Sequence, residues 1–417
     1  MYRFLTFVEF INVNVANVNF LKITKTILRP NTEFDSGQVQ QYVLPSKDIR
    51  ITQLTTFCPA DVGPGAIHLY LIETKDSLIL LDTGIPTHIV RSTLYAWFDR
   101  PVPPEIAALP DNLSEKQLTE GLKIAGYSIE DIDMLILSHG HWDHFLMGRS
   151  ILNHCRAQVA AHVLETPWIC NPWMSAVFWL TRGKQLKGTG MPALNGSINF
   201  TERKLEPVFS DYSLIVNSPI LQEGDLPGSL STRGIQVKHL PGHTSGSIGL
   251  VVGKKGEEQV LLCGDAILNP ITPIPDDLLT YLRTLENLKR LEDVQLALPA
   301  HGDEIKDLSF RANFIEKHHF RRLRLTHEFC REDRSVWDLA TSKGFFFTDV
   351  DKGEPNFLAA SEALVHMEVL KMVDALFRVK VKNGIHYFRA SDEPYEKVSD
   401  RIRSLIRDRK TIPLMRY

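Results

Sequence analysis

Four potential metal ligands fall within six residues of this chain, directly after a short apolar run. The run MLIL (134–137) has the length and composition of a buried strand, and the segment SHGHWDH (138–144) follows it without a break. A strand end can direct alternate side chains into one pocket. Imidazole and carboxylate are ligands of zinc-type cations, and a set without thiolate favours a catalytic over a structural site. The segment therefore predicts that the end of this strand meets a catalytic metal centre.

Three further ligand candidates lie downstream, and each follows a predicted strand beside a glycine. They are His243 in LPGHTSGS, Asp265 in LLCGDAIL and His301 in LPAHGDE. Glycine permits the tight turns and close backbone approach that let a loop bring its ligand onto a metal. Upstream, Asp82 in LILLDTG stands at another strand end, where a carboxylate is suited to orienting metal ligands. The shared context favours a common site over isolated packing or capping roles.

The rest of the chain mixes strands and helices, which is typical of a layered α/β domain. Apolar runs at 69–73 and 78–82 predict a hairpin. Helical periodicity over 116–125 predicts a helix with Ser114 as its N-cap and Gly126 as its stop. Further strands are predicted at 134–137, 158–161, 235–239, 248–252, 260–263 and 296–298, and a further helix at 278–291.

Two regions depart from this alternation. Residues 162–230 form a stretch too long for an ordinary connection, and we interpret it as an inserted, lid-like segment in which Trp173, Phe178 and Trp179 bind substrate. The chain after residue 308 has helical segments at 310–330, 336–343 and 358–377, and then alternating residues 379–389 around an Asn-Gly turn. Short helices closed by a hairpin predict a winged-helix-like module.

The ordered motifs around Asp82 and the seven ligand-bearing positions that follow resemble those of the metallo-β-lactamase-fold hydrolase superfamily, over about residues 50–308. The resemblance implies an α/β fold, an αβ/βα sandwich with a binuclear site at one edge of its two sheets. True β-lactamases of this fold lack a carboxylate at the bridging place or use Cys there, so antibiotic hydrolysis is not implied. The implied ligands are His139, His141 and His243 for the first ion, Asp143, His144 and His301 for the second, and Asp265 between both.

This ligand set implies two divalent metal ions, zinc in the first place, with manganese or iron as alternatives. A hydroxide shared by two such cations has its pKa drawn toward neutrality and can attack an ester, thioester, lactone or phosphodiester. Asp143 or Asp265 can pass the proton to the leaving group, with Asp82 as the third carboxylate of the catalytic set. Cys263 lies inside an apolar run and is expected to be an inert buried thiol.

The tail narrows the resemblance to a subgroup with a C-terminal winged helix, which includes the β-lactamase-like endoribonuclease and related thioesterases. The predicted domains are an uncertain N-terminal extension (1–34), the hydrolase domain (35–308) with its insertion (162–230), and a winged-helix-like domain (309–417). The gap between His144 and His243 is longer than in that subgroup, which leaves the substrate open.

Charge helps to choose among substrates. The chain carries a net charge of −3, divided into −8 over residues 1–309 and +5 over residues 310–417. An acidic body with an aromatic insertion favours a thioester or another carboxylic ester of a small acyl group. Single-stranded RNA, cleaved with help from the basic tail, is the alternative, and a nucleic-acid-binding regulator is a third hypothesis that the intact ligand set opposes.

The remaining features concern location and partners. Five widely spaced cysteines with no CxxC pair fit a reducing cytoplasm, and no unbroken apolar segment predicts a leader or a membrane span. The expected partner is a small acyl substrate, while nucleic acid at the C-terminal domain and a second copy of the chain stay open. His318 and His319 lie in a charged helix, where a solvated face is the simplest interpretation.

Overall fold

Two β-sheets packed face to face form the body of the protein, and helices cover the outer face of each sheet. The computed structural model describes residues 23–45, 48–95, 100–172, 174, 186–192, 211–224 and 234–408. The larger sheet has eight strands in sequential order, antiparallel from the first to the fifth and parallel from the fifth to the eighth. They are β1 (Thr24–Arg29), β2 (Val39–Val43), β3 (Arg50–Thr56), β4 (Ile67–Glu73), β5 (Leu78–Leu81), β6 (Met134–Leu137), β7 (Gln158–His162) and β8 (Ser218–Ile220).

The smaller sheet has four strands in the order β12-β11-β10-β9, with β11 and β12 parallel to each other. A separate hairpin pairs β13 with β14. These strands are β9 (Ile235–His239), β10 (Ile248–Val252), β11 (Gln259–Gly264), β12 (Val294–Pro299), β13 (Leu376–Lys382) and β14 (Ile385–Ala390).

The helices occur between strands in the first part of the chain and dominate its C-terminal part. They are α1 (Thr87–Ile89), continued by a π-helical turn at Val90–Leu94, α2 (Pro104–Ala107), α3 (Leu113–Ala125), α4 (Trp142–Phe145), α5 (Gly148–Leu152), α6 (Thr166–Cys170), α7 (Leu278–Leu288), α8 (Leu308–Phe329), α9 (Val336–Ala340), α10 (Phe357–Met372) and α11 (Tyr395–Arg407). Single 3-10 turns occur at Glu33–Asp35, Ile129–Asp131 and Lys187–Thr189.

Strand β6 shows why its sequence is apolar without alternation. Met134 and Ile136 face the core between the two sheets, whereas Leu135 and Leu137 face the core between the larger sheet and helix α3. A strand buried on both faces needs apolar side chains at every position. The strand that precedes the histidine cluster is therefore held from both sides, which fixes the position where the cluster begins.

Most of the predicted elements are present, with shifts at their ends. Helix α3 begins at Leu113, so Ser114 lies inside the first turn instead of capping it, and its hydroxyl pairs with Thr87 in the core. Residues 24–29 lie within the expected N-terminal extension, but they form β1, which pairs with β2 at the edge of the sheet. The predicted helix at 358–377 ends at Met372. Helix α11 was not predicted at all.

The C-terminal helices share one hydrophobic core with the smaller sheet. Leu261 of β11, Leu282 of α7, Leu323 of α8, Met367 of α10 and Ile402 of α11 all belong to it, and each is fully buried. Helix α7 therefore packs between the smaller sheet and the helices that follow residue 308. Among the described residues, no helix is both long and apolar enough to cross a lipid bilayer.

Candidate metal centre

The carboxyl ends of the parallel strands meet at one edge of the sandwich, and each end carries a polar side chain. Because parallel strands end on the same side of a sheet, residues that directly follow them converge there. Asp82 follows β5 and His139 follows β6 in the larger sheet. Asp265 follows β11 and His301 follows β12 in the smaller sheet. The site is thus built from both sheets.

Asp82 fixes the geometry where β6 ends. Its backbone is in the left-handed region (φ 61°), which aspartate tolerates better than most residues. One carboxylate oxygen accepts the Ser138 N–H at 2.7 Å, and the other accepts the Ser138 hydroxyl at 2.8 Å and His144 Nδ1–H at 2.8 Å. Because Nδ1 of His144 donates to this carboxylate, its Nε2 is left to act as a ligand. Asp82 therefore orients His144, and its place in a catalytic set stays a prediction.

The first group of ligand atoms comes from three histidines. His139 Nε2 lies 2.9 Å from His141 Nδ1, which lies 3.1 Å from His243 Nε2. The other nitrogen of His243 donates to the carbonyl of Ile274 at 2.9 Å. The Ser138 hydroxyl gives its proton to Asp82 and so accepts from His139 Nδ1 at 3.0 Å. In both His243 and His139, the hydrogen bond from Nδ1 leaves the lone pair of Nε2 directed toward the point that the ligand nitrogens of this group surround.

The second group lies on the other side of Asp265. His301 Nδ1 donates to the carbonyls of Gly65 and Ala66, both at 3.1 Å, which leaves Nε2 3.4 Å from Asp143 Oδ2. Asp265 faces both groups, with Oδ2 3.5 Å from Nε2 of His243 and 3.6 Å from Nε2 of His144. Its Oδ1 lies 3.8 Å from His301 Nε2. Asp265 therefore lies between the two groups of ligand atoms, and its bridging role stays a prediction.

The residues present fit two cations. His144 Nε2, His301 Nε2 and Asp265 Oδ1 are buried and have no hydrogen-bond partner, an arrangement that costs about 1–3 kcal/mol for each such group. A tetrahedral ion with metal–nitrogen distances of about 2.0–2.1 Å holds its nitrogens about 3.3 Å apart, close to the observed spacing in the first group. One cation within each group of ligand atoms would give each of those three buried atoms a partner. The His/Asp groups are typical of a binuclear site.

The charges of the site support the same conclusion. Burial alone would raise the pKa of Asp265, but the imidazoles of His301 and His144 outweigh it and hold this pKa well below its usual range. Burial alone would lower the pKa of His144, but the carboxylates of Asp82, Asp143 and Asp265 raise it well above its usual range. Without a metal, the raised pKa values of His144 and His301 favour protons on these two rings, which compensate the carboxylates. Divalent cations can replace those protons.

Two glycines let the ligand loops approach their neighbours. Gly242, before His243, has φ 128°, and a Cβ there would lie 2.4 Å from the Cα of Tyr281 in helix α7. Gly302, after His301, has φ 81°, and a Cβ there would lie 2.1 Å from a backbone oxygen of Asn269. No other residue type fits at either position. The glycines that flank the predicted ligands therefore have the function expected of them.

Other predictions from the sequence concern residues outside the two ligand groups. Trp173, Phe178 and Trp179 lie outside the described residues, so their assignment to a substrate lid stays a prediction. His162 stacks on His239 with ring centroids 4.4 Å apart, and neither ring belongs to a ligand group. Cys263 is fully buried, and burial raises the pKa of its thiol, in agreement with an inert role.

The prediction of a solvated histidine face on α8 is wrong. Both His318 and His319 are buried: the His319 ring contacts Tyr281 of α7 and His366 of α10, and the His318 ring stacks on Phe347. His319 Nδ1 donates to His366 Nε2 at 3.2 Å, and these rings lie near Glu362. Arg322 donates to the Glu362 carboxylate at 2.6 Å, which places a fixed positive charge where a cation would have to bind. We therefore interpret this group as an internal hydrogen-bond network and not as a third metal site.

One functional residue was missed by the sequence analysis. Glu165 follows β7, the third parallel strand of the larger sheet, and its buried carboxylate accepts hydrogen bonds from Gly140 and Gly246 in two ligand loops. The signal that could have found it is the one that identified Asp82, an acidic residue just after a parallel strand. Glu165 was not recognised because it lies at the start of the predicted insertion.

Comparisons with known proteins agree with the fold and the ligand groups. A family model described as the metallo-beta-lactamase superfamily matches residues 62–301. The chain is 26% identical to an N-acyl homoserine lactonase of a Bacillus species over 58% of its own length and 80% of the relative's. It is 24% identical to the probable metallo-hydrolase YqjP of Bacillus subtilis over 79% and 95% of the two chains.

Among solved structures, a metallo-beta-lactamase family protein from Thermus thermophilus superposes with a TM-score of 0.60 at 21% identity, over 81% of this chain and 98% of that one. At this identity the likeness concerns the fold alone. The sandwich and its paired His/Asp groups define a metal-dependent hydrolase. The chain belongs to the metallo-beta-lactamase superfamily.

Proposed function

We propose that this protein is a binuclear hydrolase of a thioester or another carboxylic ester with a small acyl group. The observation that carries the proposal is the position of Asp265, whose two oxygens face two separate sets of histidine nitrogens at 3.5–3.8 Å. A carboxylate between two groups of imidazole nitrogens is the arrangement that a pair of cations requires.

Individual side chains have distinct roles in the proposed reaction. When bound, two divalent cations would lower the pKa of a water molecule between them and polarise the substrate oxygen. Asp143 is the more accessible carboxylate, with 18% of its side chain exposed against 7% for Asp265, so we assign Asp143 to pass a proton to the leaving group. Asp82 keeps His144 in the tautomer that presents Nε2 to the site.

Relatives support an ester substrate more than a phosphodiester. A lactone is a cyclic carboxylic ester, and several of the relatives are N-acyl homoserine lactonases, at 25–26% identity. The acidic body of the chain also disfavours a polyanionic substrate. Zinc is the proposed metal, because imidazole and carboxylate suit it well.

We also propose that residues 309–417 form a winged-helix-like module. The order of α8, α9, α10 and the hairpin β13–β14 supports it, as does an isolated bridge between Arg334 and Phe388 that adds a third short strand to the hairpin. The turn of the hairpin has φ 52° at Asn383 and φ 78° at Gly384, the conformation of a tight type I′ connection. Nucleic acid binding by this module stays a prediction.

A metal analysis combined with a hydrolysis panel tests the proposed function. We expect purified protein to carry about two divalent ions per chain and to hydrolyse an acyl-CoA, an acyl-glutathione or an N-acyl lactone faster than single-stranded RNA. His141→Ala, assayed in parallel, should lose metal and activity together, which excludes a contaminating hydrolase. Rapid RNA cleavage at low salt without ester hydrolysis would replace this proposal by the nuclease alternative.

A further inference from the structure

Glu165 is a buried carboxylate that lies between two loops carrying metal ligands. It is 1% exposed and follows β7, before helix α6. Its Oε2 accepts the N–H of Gly140 at 2.8 Å. Its Oε1 accepts the N–H of Gly246 at 2.6 Å and the hydroxyl of Thr244 at 2.8 Å. One side chain thus holds three donors from two different segments.

The three donors lie beside ligands of the first group. The segment of Gly140 continues into α4 with Asp143 and His144 of the second group, where Asp82 holds His144 independently of Glu165. Gly140 lies between His139 and His141, and Thr244 directly follows His243. These three histidines form the first group of ligand atoms, whereas among the described residues the loop of His301 donates no hydrogen bond to Glu165. The contacts of Glu165 therefore set the spacing between the segment after β6 and the turn before β10.

The loops are shaped to admit this carboxylate. A Cβ on Gly140 would lie 2.9 Å from Glu165 Oε2, and a Cβ on Gly246 would lie 2.7 Å from Oε1. A side chain at either glycine would displace the carboxylate from its donors. Hydrogen bonds to a buried carboxylate are short and strong, and they hold the loops more rigidly than neutral acceptors would.

From these contacts we infer that Glu165 is a positioning residue that selectively preorganises the His139/His141/His243 metal site. The inference rests on the proposed binuclear function. Removal of the carboxylate would leave each imidazole intact but free the two loops to move apart. Groups that orient metal ligands in this way typically change metal affinity by about 10- to 100-fold when they are replaced. The second site should be nearly unaffected.

The test isolates each site in turn. His301→Ala leaves the first group intact, and His243→Ala leaves the second, so Glu165→Gln can be added to either background. Cobalt titration of the metal-free proteins, followed by visible absorption, then gives the affinity of one site at a time. We expect Glu165→Gln to weaken cobalt binding about 10- to 100-fold in the His301→Ala background and less than about 3-fold in the His243→Ala background.

Controls separate positioning from general destabilisation. Glu362→Gln changes another buried carboxylate, 2% exposed and outside both ligand groups, and should lower Tm without changing either cobalt affinity. If Glu165→Gln does not fold, Thr244→Val removes one of the three donors and should weaken the first site about 3- to 10-fold. Equal losses at both sites, or no loss at the first, overturn the inference. Wild-type protein that binds no cobalt overturns the proposed function itself.

Discussion

Replacement of Asp82 by asparagine is the sharpest test of how the strand ends build the metal centre. The carboxylate is 1% exposed and accepts three hydrogen bonds, two from Ser138 and one from His144 Nδ1. An asparagine keeps the shape but has one acceptor oxygen, and its NH2 must face at least one of those donors. At least one charge-assisted bond is lost and one buried donor is left without an acceptor.

The magnitude follows from those contacts. A hydrogen bond to a charged group contributes about 1.5–3 kcal/mol, so we expect Asp82→Asn to lower the unfolding free energy of the metal-free protein by about 2–4 kcal/mol. His144 would also lose the partner that fixes its tautomer. Metal affinity at the second site should therefore fall about 10- to 100-fold.

Two measurements check this prediction. Urea unfolding of the chelator-treated proteins gives the stability change, and competition with a chromophoric chelator gives the affinity. Asp303→Asn is the matched control, since Asp303 is exposed beside the same site and should change neither quantity. If Asp82→Asn matched the wild type within about 0.5 kcal/mol and 2-fold in affinity, the argument that Asp82 orients His144 would be refuted.

Three further outcomes are expected. Asp265→Ala should lose metal and ester hydrolysis together, because it removes the oxygens that face both ligand groups; full activity in a metal-free preparation would contradict this. Gly242→Ala should unfold at clearly lower temperature than Gly224→Ala in thermal denaturation, because both have positive φ but only the first Cβ would meet Tyr281. A chain ending at Ser309 retains all seven proposed ligands, yet it exposes the buried face of α7, so light scattering should show association, and metal analysis should still find metal in the fraction that stays folded.

The sequence predicted the ligand-bearing strand ends because their chemistry is local. His139, Asp265 and His301 each follow an apolar run and lie beside a small or polar turn residue, so each could be recognised without knowledge of the fold. Asp82 was recognised in the same way. The structure then supplied what spacing along the chain cannot give, namely that both sheets end at one edge and that Asp265 faces both groups.

Other parts of the chain could not be read in this way. Glu165 was missed because its partners, Gly140 and Gly246, are brought to it only by the packing of two sheets. His319 was placed on a solvated face because a run of charges suggests exposure, whereas Arg322 is itself buried and paired. Tertiary burial of charged helices depends on neighbours that are distant in sequence, and periodicity alone does not report it.

The distribution of the ligands over both sheets has a consequence for the newly made chain. Translation proceeds at roughly 5–20 residues per second, and His301 is made about 160 residues after His139, so some 8–30 seconds separate them. For most of that interval the histidines after β6 are exposed to the cell without the carboxylate of Asp265, and for all of it without the ligand that follows β12. A cation bound at that stage would have an incomplete set of ligands and would dissociate readily. The metal content of the folded protein is therefore determined after synthesis, by the ions that are present when the smaller sheet packs against the larger one.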